Sequence, residues 1–314
     1  MKKPPILLTA ALMLAVLAAG AFQYQRANLE TMELDGRLRG KAPGAFVSLT
    51  GGITHYQLEG PESARTAVLI PGFSVPYYLW DPTFAALRKA GYRVLRYDLF
   101  GRGYSERPWA TYDGDLFDRQ LLDLLEALNI RGRVDLIGAS MGGPIASGFA
   151  CQHLDRVRSI TMIGPGYSTG GQLPWYLRWP VVGEYYFATS VAPTLAESQT
   201  RDFLHPEKFP DWAGRYRPQT HVQGFRHALL STLRNYVDTD WSRKYTCVGK
   251  SELPVLLVWG KHDEDVPFAV SEKVRALIPQ AEFLPVEEAG HIPFMETPAA
   301  VEPALIRFLA AAGK

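Results

Sequence analysis

The chain has 314 residues, enough to bury a substantial core and suited to one large α/β domain with an insertion. Its 33 basic and 32 acidic residues give a net charge of +1, which excludes the strong positive field of a nucleic-acid-binding surface. An apolar content of 47% with 21% charged residues excludes intrinsic disorder. The two cysteines, Cys151 and Cys247, lack the spacing of metal ligands. We expect two buried thiols, with one disulfide in an oxidising compartment as the alternative.

An apolar run from Ile6 to Phe22 follows Lys2 and Lys3 at the N-terminus. As a helix it spans about 26 Å, close to the ~30 Å of bilayer hydrocarbon, so it is typical of a membrane anchor or a cleavable signal. We favour an anchor, because residues 23–39 contain no proline and predict that the helix continues into a juxtamembrane zone. Secretion after cleavage at Ala19-Gly20-Ala21 is the alternative. The basic tail predicts an inner-membrane protein with its globular part on the periplasmic side.

Beyond a linker that ends at residue 44, strand-like and helix-like segments alternate. Residues 45–57 predict a hairpin with Gly51-Gly52 at its turn. Further strands are predicted at 66–70, 92–97, 134–137, 157–163, 254–260 and 281–285, and helices at 80–90, 115–128, 144–153, 269–277 and 298–312. This alternation predicts an α/β fold with a mostly parallel sheet and helices on both faces.

Residues 166–245 interrupt the alternation with a helical segment rich in aromatic residues. It predicts an inserted cap, whose best helix covers 223–237 and whose aromatics mostly pack onto the core, a minority lining an apolar pocket. The predicted organisation is an anchor and juxtamembrane helix in 1–44, core in 45–165, cap in 166–245 and core again in 246–314.

The most informative motif is Gly138-Ala139-Ser140-Met141-Gly142, which follows an apolar strand and precedes a helix of small residues. This is the pattern of a nucleophile elbow, in which a strained turn exposes the serine hydroxyl and the helix start offers N–H groups to developing negative charge. Glycines two residues before and after Ser140 avoid a steric clash at the turn.

A serine nucleophile needs a base, and the base needs an orienting acid. Of seven histidines, His291 is the candidate base, because it lies in a loop after a late strand, at the sheet edge that the elbow shares. His262 is expected to be a solvated loop residue, and His205, His221 and His227 are expected to be structural residues of the cap. The candidate acid is Asp263, the first carboxylate after a buried strand, with Asp265 and then Glu264 as alternatives.

An oxyanion hole needs two N–H donors. In this architecture one is the residue after the nucleophile, here Met141, and the other lies in the loop after an earlier strand. Pro71-Gly72-Phe73 fits that loop, with Phe73 as the second donor.

Taken together, these motifs resemble the α/β-hydrolase fold superfamily over residues 45–312. The resemblance is carried by the order Ser140, Asp263, His291, by Pro71-Gly72-Phe73, by Asp98-x-x-Gly101-x-Gly103-x-Ser105 and by Gly260-x-x-Asp263. Ser140-Met141-Gly142-Gly143 is similar to the elbow of monoacylglycerol lipases, and the apolar helix before such a domain resembles bacterial membrane-anchored lipases and phospholipases A. Many relatives have His-Gly where this chain has Pro71-Gly72, so the histidine's hydrogen bonds to the oxyanion loop are absent.

The resemblance implies a serine hydrolase that cleaves carboxylic esters through an acyl-enzyme, with lipid-type esters favoured by the aromatic cap and the anchor. Serine rather than aspartate at position 140 argues against haloalkane dehalogenase and epoxide hydrolase chemistry. The alternatives are a general short-chain carboxylesterase, a C–C bond hydrolase of ring-cleavage products and, least favoured, a non-catalytic binding protein.

The expected partners are a small-molecule ester or lipid and a membrane bound through the N-terminal helix, with a homodimer through that helix as a further option. We expect no nucleic-acid partner, no organic cofactor and no metal.

Overall fold

One sheet forms the centre of the fold. A computed structural model describes residues 5–312 of the chain. The strands are β1 Ala45–Leu49, β2 Gly52–Glu59, β3 Thr66–Ile70, β4 Arg93–Tyr97, β5 Val134–Ala139, β6 Val157–Ile163, β7 Val255–Gly260 and β8 Glu282–Val286. They are ordered β1-β2-β4-β3-β5-β6-β7-β8, with β2 antiparallel to β1 and β4 and the remaining pairs parallel. The predicted hairpin and the predicted mostly parallel sheet are confirmed.

The helices alternate with the strands except in two segments, one before β1 and one between β6 and β7. They are α1 Pro5–Arg26, α2 Gly36–Arg39, α3 Asp81–Lys89, α4 Gly114–Ala127, α5 Gly142–Gln152, α6 Trp175–Arg178, α7 Val182–Tyr186, α8 Leu195–Ser198, α9 Trp212–Thr220, α10 Phe225–Thr232, α11 Ser242–Gly249, α12 Val270–Leu277, α13 Pro293–Glu296 and α14 Pro298–Ala311. Short 3-10 or π-helical turns cover Tyr77–Trp80, Leu154–Arg156, Phe187–Val191, Ala192–Thr194, Gln199–Asp202, Pro206–Lys208 and Leu233–Val237.

Apolar clusters cover both faces of the sheet. Residues of β3 and β5 are fully buried, as expected for parallel strands with helices on both sides. The side chains of α4, α5, α11 and α12 pack on one face. Those of α3 and α14 pack on the other, together with much of the segment between β6 and β7. The carboxyl ends of the parallel strands therefore open toward one edge, where the candidate site residues lie.

The segment between β6 and β7 is helical, as predicted. The helix expected at 223–237 is α10 followed by the π-helical turns at Leu233–Val237. The buried aromatic side chains of this segment are Phe187, Phe203, Trp212, Tyr216, Phe225, Tyr236, Trp241 and Tyr245. Trp175, Trp179 and Tyr186 are exposed.

The N-terminal helix α1 is exposed along most of its described length and contacts the cap near its end. Its portion Leu8–Arg26 has a mean hydropathy of 1.4 and no part of that portion is buried, so by length and composition it suits a membrane span or a signal sequence. Lys2 and Lys3, from which the orientation was predicted, lie outside the described residues.

The predicted juxtamembrane helix is wrong. The chain leaves the helix at residue 27, where the Asn28 side chain accepts the N–H of Glu30 in a turn that competes with helix. Residues 27–44, which we call the strap, then run along the cap and the core. Met32 forms a parallel bridge to Val222, and the Glu30 carboxylate accepts the backbone N–H of Arg226 at 2.6 Å. These contacts with residues about 190 positions away outweigh the local helical tendency.

The prediction of two buried thiols is also wrong. Cys151, near the end of α5, is bonded to Cys247 of α11, and their Cα atoms are 6.2 Å apart. The two residues are 96 positions apart in sequence, so nothing in their spacing marks them as a pair. Disulfides of this kind persist in oxidising compartments.

We expect reduction of this disulfide to lower the free energy of unfolding by about 3–5 kcal/mol, because the intact disulfide closes a long loop and so restricts the unfolded chain. Urea unfolding of the detergent-solubilised protein with and without reductant measures the change. Alkylation before reduction should modify neither cysteine, and alkylation after reduction should modify both. Equal unfolding midpoints would contradict a stabilising disulfide.

Candidate active site

Ser140 lies at the turn between β5 and α5. Its φ is +51°, a left-handed conformation that is uncommon outside glycine and stores strain. A Cβ on Gly138 would come within 2.2 Å of the carbonyl oxygen of Gly142, and one on Gly142 within 2.3 Å of that of Ile70. Only glycine fits at either position. The turn therefore has the tight geometry that the glycine spacing predicts.

His291 and Asp263 meet beside this turn. His291 Nδ1 is 2.9 Å from Asp263 Oδ2, and both side chains are buried. The other carboxylate oxygen of Asp263 accepts the N–H groups of Asp265 and Val266 at 3.0 and 2.8 Å, which fixes its orientation. Burial favours the neutral imidazole, but the charge and hydrogen bond of Asp263 outweigh it and raise the pKa of His291 to about 9.

Ser140 and His291 border the same cavity of about 90 Å³, together with Gly72, Phe73 and Asp202. Among the described residues, no hydrogen bond joins Ser140 Oγ to His291, a contact that often tightens only when substrate binds. The alternative acids Asp265 and Glu264 are exposed.

The other histidines take the places expected of them. His262 is exposed, and His205 pairs with Glu207 at 3.2 Å. The His221 ring contacts the strap carbonyl of Leu29 at 3.0 Å, and the His227 ring stacks on Trp109. All four lie outside the cavity that Ser140 borders.

Of the two predicted oxyanion donors, Phe73 borders the cavity, and Met141 follows Ser140 directly at the start of α5. Within the described part of the chain, the N–H groups of Phe73 and Met141 donate to no protein acceptor. Gly72 sits directly against the serine, since a Cβ on it would be 3.2 Å from Ser140 Cβ. Both N–H groups are therefore free for a substrate oxyanion.

Asp98 joins the loop that contains it to the turn at Tyr77–Trp80, which follows Pro71-Gly72-Phe73 in the chain. Its carboxylate accepts the N–H of Tyr77 at 2.7 Å and that of Tyr104 at 2.9 Å, and it contacts His55 Nδ1 at 2.7 Å. Gly103, at φ +50°, leaves room for it, because a Cβ there would lie 2.0 Å from Asp98 Oδ2. This network explains why glycine is needed at position 103 beside Asp98.

Arg102 braces the oxyanion loop, and sequence reasoning missed it. Its side chain is fully buried, donates from Nε to the carbonyl oxygen of Phe73 at 2.8 Å and from Nη2 to Thr232 Oγ1 at 2.9 Å. None of the carboxylates in the described residues pairs with it, and burial lowers the pKa of its guanidinium to about 10. These bonds hold the loop that lacks the His-Gly of many relatives.

We expect Arg102→Met to lower kcat by about 10²-fold with little change in KM, because a small displacement of the oxyanion loop weakens stabilisation of the transition state more than of the ground state. The measurement is steady-state turnover of a soluble ester.

Arg107→Met is the matched control. Arg107 is half-buried and donates to the carbonyl oxygens of Ser105 and Gly103, away from Phe73. An equal loss of kcat in Arg102→Met and Arg107→Met would contradict a positioning role for Arg102. So would a loss of thermal stability that is equal in the two variants and large enough to explain the lower activity.

Asp202 is a further missed residue of the cavity. It belongs to the segment between β6 and β7, and its backbone carbonyl accepts the N–H of His291 at 2.8 Å. Its carboxyl group lies near that of Asp265, and burial raises the pKa of Asp202 well above its usual range, although the nearby His291 opposes the shift. Only the fold brings this residue to His291, 89 positions further along the chain, so the sequence carries no local signal for it.

Comparisons with known proteins agree with this architecture. The chain belongs to the α/β hydrolase fold family, whose pattern matches residues 68–298. The enol-lactonase from Burkholderia xenovorans LB400 has a crystal structure that aligns with a TM-score of 0.74 at 25% identity, covering 85% of this chain and all of that one. The predicted fold is confirmed, and the chain is a hydrolase of this fold.

Its curated relatives cleave different bonds. Lipase 3 of Moraxella sp. (strain TA144) is 24% identical over 214 residues, 66% of this chain and 65% of the lipase. A 2-hydroxy-6-oxononadienedioate/2-hydroxy-6-oxononatrienedioate hydrolase of Cupriavidus pinatubonensis is 28% identical over 266 residues, 78% of this chain and 88% of that enzyme. The family therefore leaves the substrate open.

Proposed function

We propose that this hydrolase cleaves carboxylic esters through an acyl-enzyme on Ser140. The observation that carries the proposal is that Ser140 at its strained turn, His291 and Phe73 border one cavity, and that His291 is paired with Asp263. Ser140 Oγ attacks the ester carbonyl carbon while His291 Nε2 takes the hydroxyl proton, which then passes to the leaving alcohol. The N–H groups of Met141 and Phe73 stabilise the oxyanion. Water, deprotonated by His291, then releases the acid and restores Ser140.

The cavity walls favour an uncharged substrate. The described residues that line it include two carboxyl groups, Asp202 and Asp265, and no lysine or arginine. A ring-cleavage product carries carboxylate groups that need a cationic partner, because an unpaired charge is costly to desolvate. This chemistry supports an ester over the acidic substrate of a C–C hydrolase, although relatives of both kinds exist.

The size of the acyl group depends on the cap. The cavity of about 90 Å³ has the volume of about three water molecules, enough for a short acyl group. A long acyl chain needs more space than this cavity offers, and Gln199 and Asp202 are the residues that the cap contributes to its lining. We propose lipid-type esters as substrates, since the unburied helix α1 supports work at a membrane.

We further propose that α1 is retained as an inner-membrane anchor with the hydrolase on the periplasmic side. The Cys151–Cys247 disulfide supports an oxidising compartment. Secretion after cleavage near residue 21 is the alternative.

A turnover panel on the detergent-solubilised protein tests the substrate class. It contains p-nitrophenyl esters from C2 to C16, a monoacylglycerol, a lysophospholipid, a diacyl phospholipid and a ring-cleavage dienoate, with Ser140→Ala as the control. Hydrolysis of the natural lipids supports the proposal, and activity confined to short esters would leave a general carboxylesterase. Preferred cleavage of the dienoate would overturn the ester assignment.

A further inference from the structure

The exposed large apolar side chains have an uneven distribution. Among the described residues outside α1, seven large apolar side chains are exposed. One is Leu154, and the other six lie near the end of α1: Trp109, Trp175, Trp179, Val181, Val182 and Tyr186. Trp175 is 61% exposed, Trp179 is 59% exposed and Val181 is 79% exposed. A contiguous exposed apolar surface of this kind is typical of an interaction site. We call Trp175, Tyr176, Trp179, Val181, Val182 and Tyr186 the aromatic patch.

The aromatic patch is continuous with the end of α1. Tyr185, the neighbour of Tyr186 in sequence, hydrogen-bonds Gln23 and stacks on Tyr24 with ring centroids 6.5 Å apart. From Tyr186 the contacts run to Tyr176 at 4.7 Å between ring centroids. They continue through Trp175, at 5.9 Å from Tyr176, to Trp179 at a further 5.1 Å. A bilayer that contains α1 therefore meets this surface where the helix ends.

The backbone of the aromatic patch is held in place. Arg234 donates from Nε to the carbonyl oxygen of Leu177 at 2.6 Å and from Nη2 to that of Trp179 at 3.1 Å, and it pairs with Glu184. Val181 has a φ of +69°, a genuine outlier for a β-branched residue. Strain of this kind persists only where surrounding contacts impose it, and it accompanies functional surfaces.

We propose that the aromatic patch lies in the interfacial layer of the bilayer as a second membrane contact beside α1. Tryptophan and tyrosine favour this layer, where an apolar ring and a polar N–H or O–H are both accommodated. The inference rests on the proposed anchorage by α1. A contact at the aromatic patch places the cap against the bilayer, from which a lipid ester would come. The cap contributes Gln199 and Asp202 to the lining of the catalytic cavity.

Tryptophan fluorescence of the full chain in vesicles tests the contact directly. Of the seven tryptophans, Trp80, Trp212, Trp241 and Trp259 are buried, so a quencher in the acyl chains reports the exposed ones. We expect phosphatidylcholine with brominated acyl chains to reduce emission relative to unbrominated lipid. Trp175→Phe with Trp179→Phe should remove most of that loss, while keeping an aromatic surface.

Turnover separates the membrane contact from the chemistry. Trp175→Ser with Trp179→Ser should raise the apparent KM for an ester embedded in vesicles roughly tenfold, since burying one large apolar side chain changes a binding constant by at least that factor. Turnover of soluble p-nitrophenyl acetate should stay unchanged. Leu154→Ser, which removes an exposed leucine outside the patch, is the matched control and should change neither.

The outcomes distinguish this inference from the proposed function. Unquenched emission from protein that co-floats with vesicles would overturn the patch contact and leave the anchor intact. Quenching that survives Trp175→Phe with Trp179→Phe would also overturn it, because another tryptophan would be responsible. Protein that fails to co-float would overturn both the anchor and the contact. Loss of soluble-ester turnover in Ser140→Ala bears on the chemistry alone.

Discussion

Ser140→Ala is expected to lower ester turnover by about 10⁶-fold, the scale observed when such a constellation loses its nucleophile. Alanine keeps the Cβ that Gly72 contacts, so the turn and the fold should be retained. The measurement is kcat for a soluble ester, together with covalent labelling by a fluorophosphonate. Labelling requires an activated hydroxyl and should be absent from the variant.

Ser74→Ala is the matched control, because Ser74 is the other serine that borders the cavity. It should remain active and should be labelled like the unmodified protein. Turnover of Ser140→Ala within about tenfold of the unmodified protein would remove Ser140 as nucleophile, since even weak nucleophilic catalysis exceeds that factor.

Asp263→Asn is expected to lower kcat by about 10⁴-fold, because an amide that donates to Nδ1 selects the wrong imidazole tautomer. Its pH profile should change as well. In the unmodified protein the base becomes neutral, and turnover rises, as the pH approaches the His291 pKa of about 9. Without the Asp263 carboxylate, burial is less opposed and lowers the pKa of His291. The rising limb in the pH profile of kcat/KM should therefore move to lower pH.

Asp265→Asn tests the alternative acid. Asp265 is exposed and contacts Asp202 rather than the His291 ring, so its loss should change kcat far less. If Asp265→Asn lost as much activity as Asp263→Asn, or if the rising limb stayed in place in Asp263→Asn, the assignment of Asp263 would be wrong.

The sequence is most informative where the covalent chain alone imposes the structure. A buried parallel strand appears as a mainly apolar run, as in β3, which is predicted at its observed bounds. The turn at Ser140 is predictable because only glycine avoids the close approaches on either side of it. Asp263 and His291 are predictable because each follows a strand whose end lies at the same sheet edge.

The features missed depend on contacts between distant residues. The first part of the strap resembles a helix locally, and contacts with distant residues, among them Val222 and Arg226, hold it in a non-helical path. Arginine side chains usually lie at the surface. Arg102 is buried because carbonyl and hydroxyl groups on separate elements accept its hydrogen bonds. The pairing of Cys151 with Cys247 requires α5 and α11 to be neighbours, which the order of residues does not reveal.

That disulfide also alters the connectivity of the molecule. Together with the chain between them, Cys151 and Cys247 enclose residues 152–246 in a covalent ring that contains the whole predicted cap. A protease that cuts once within the ring produces two fragments that remain joined, and the strands on either side of the cut stay in one sheet. A single proteolytic cut in the cap therefore does not separate Ser140 from Asp263 and His291 unless the disulfide is also reduced.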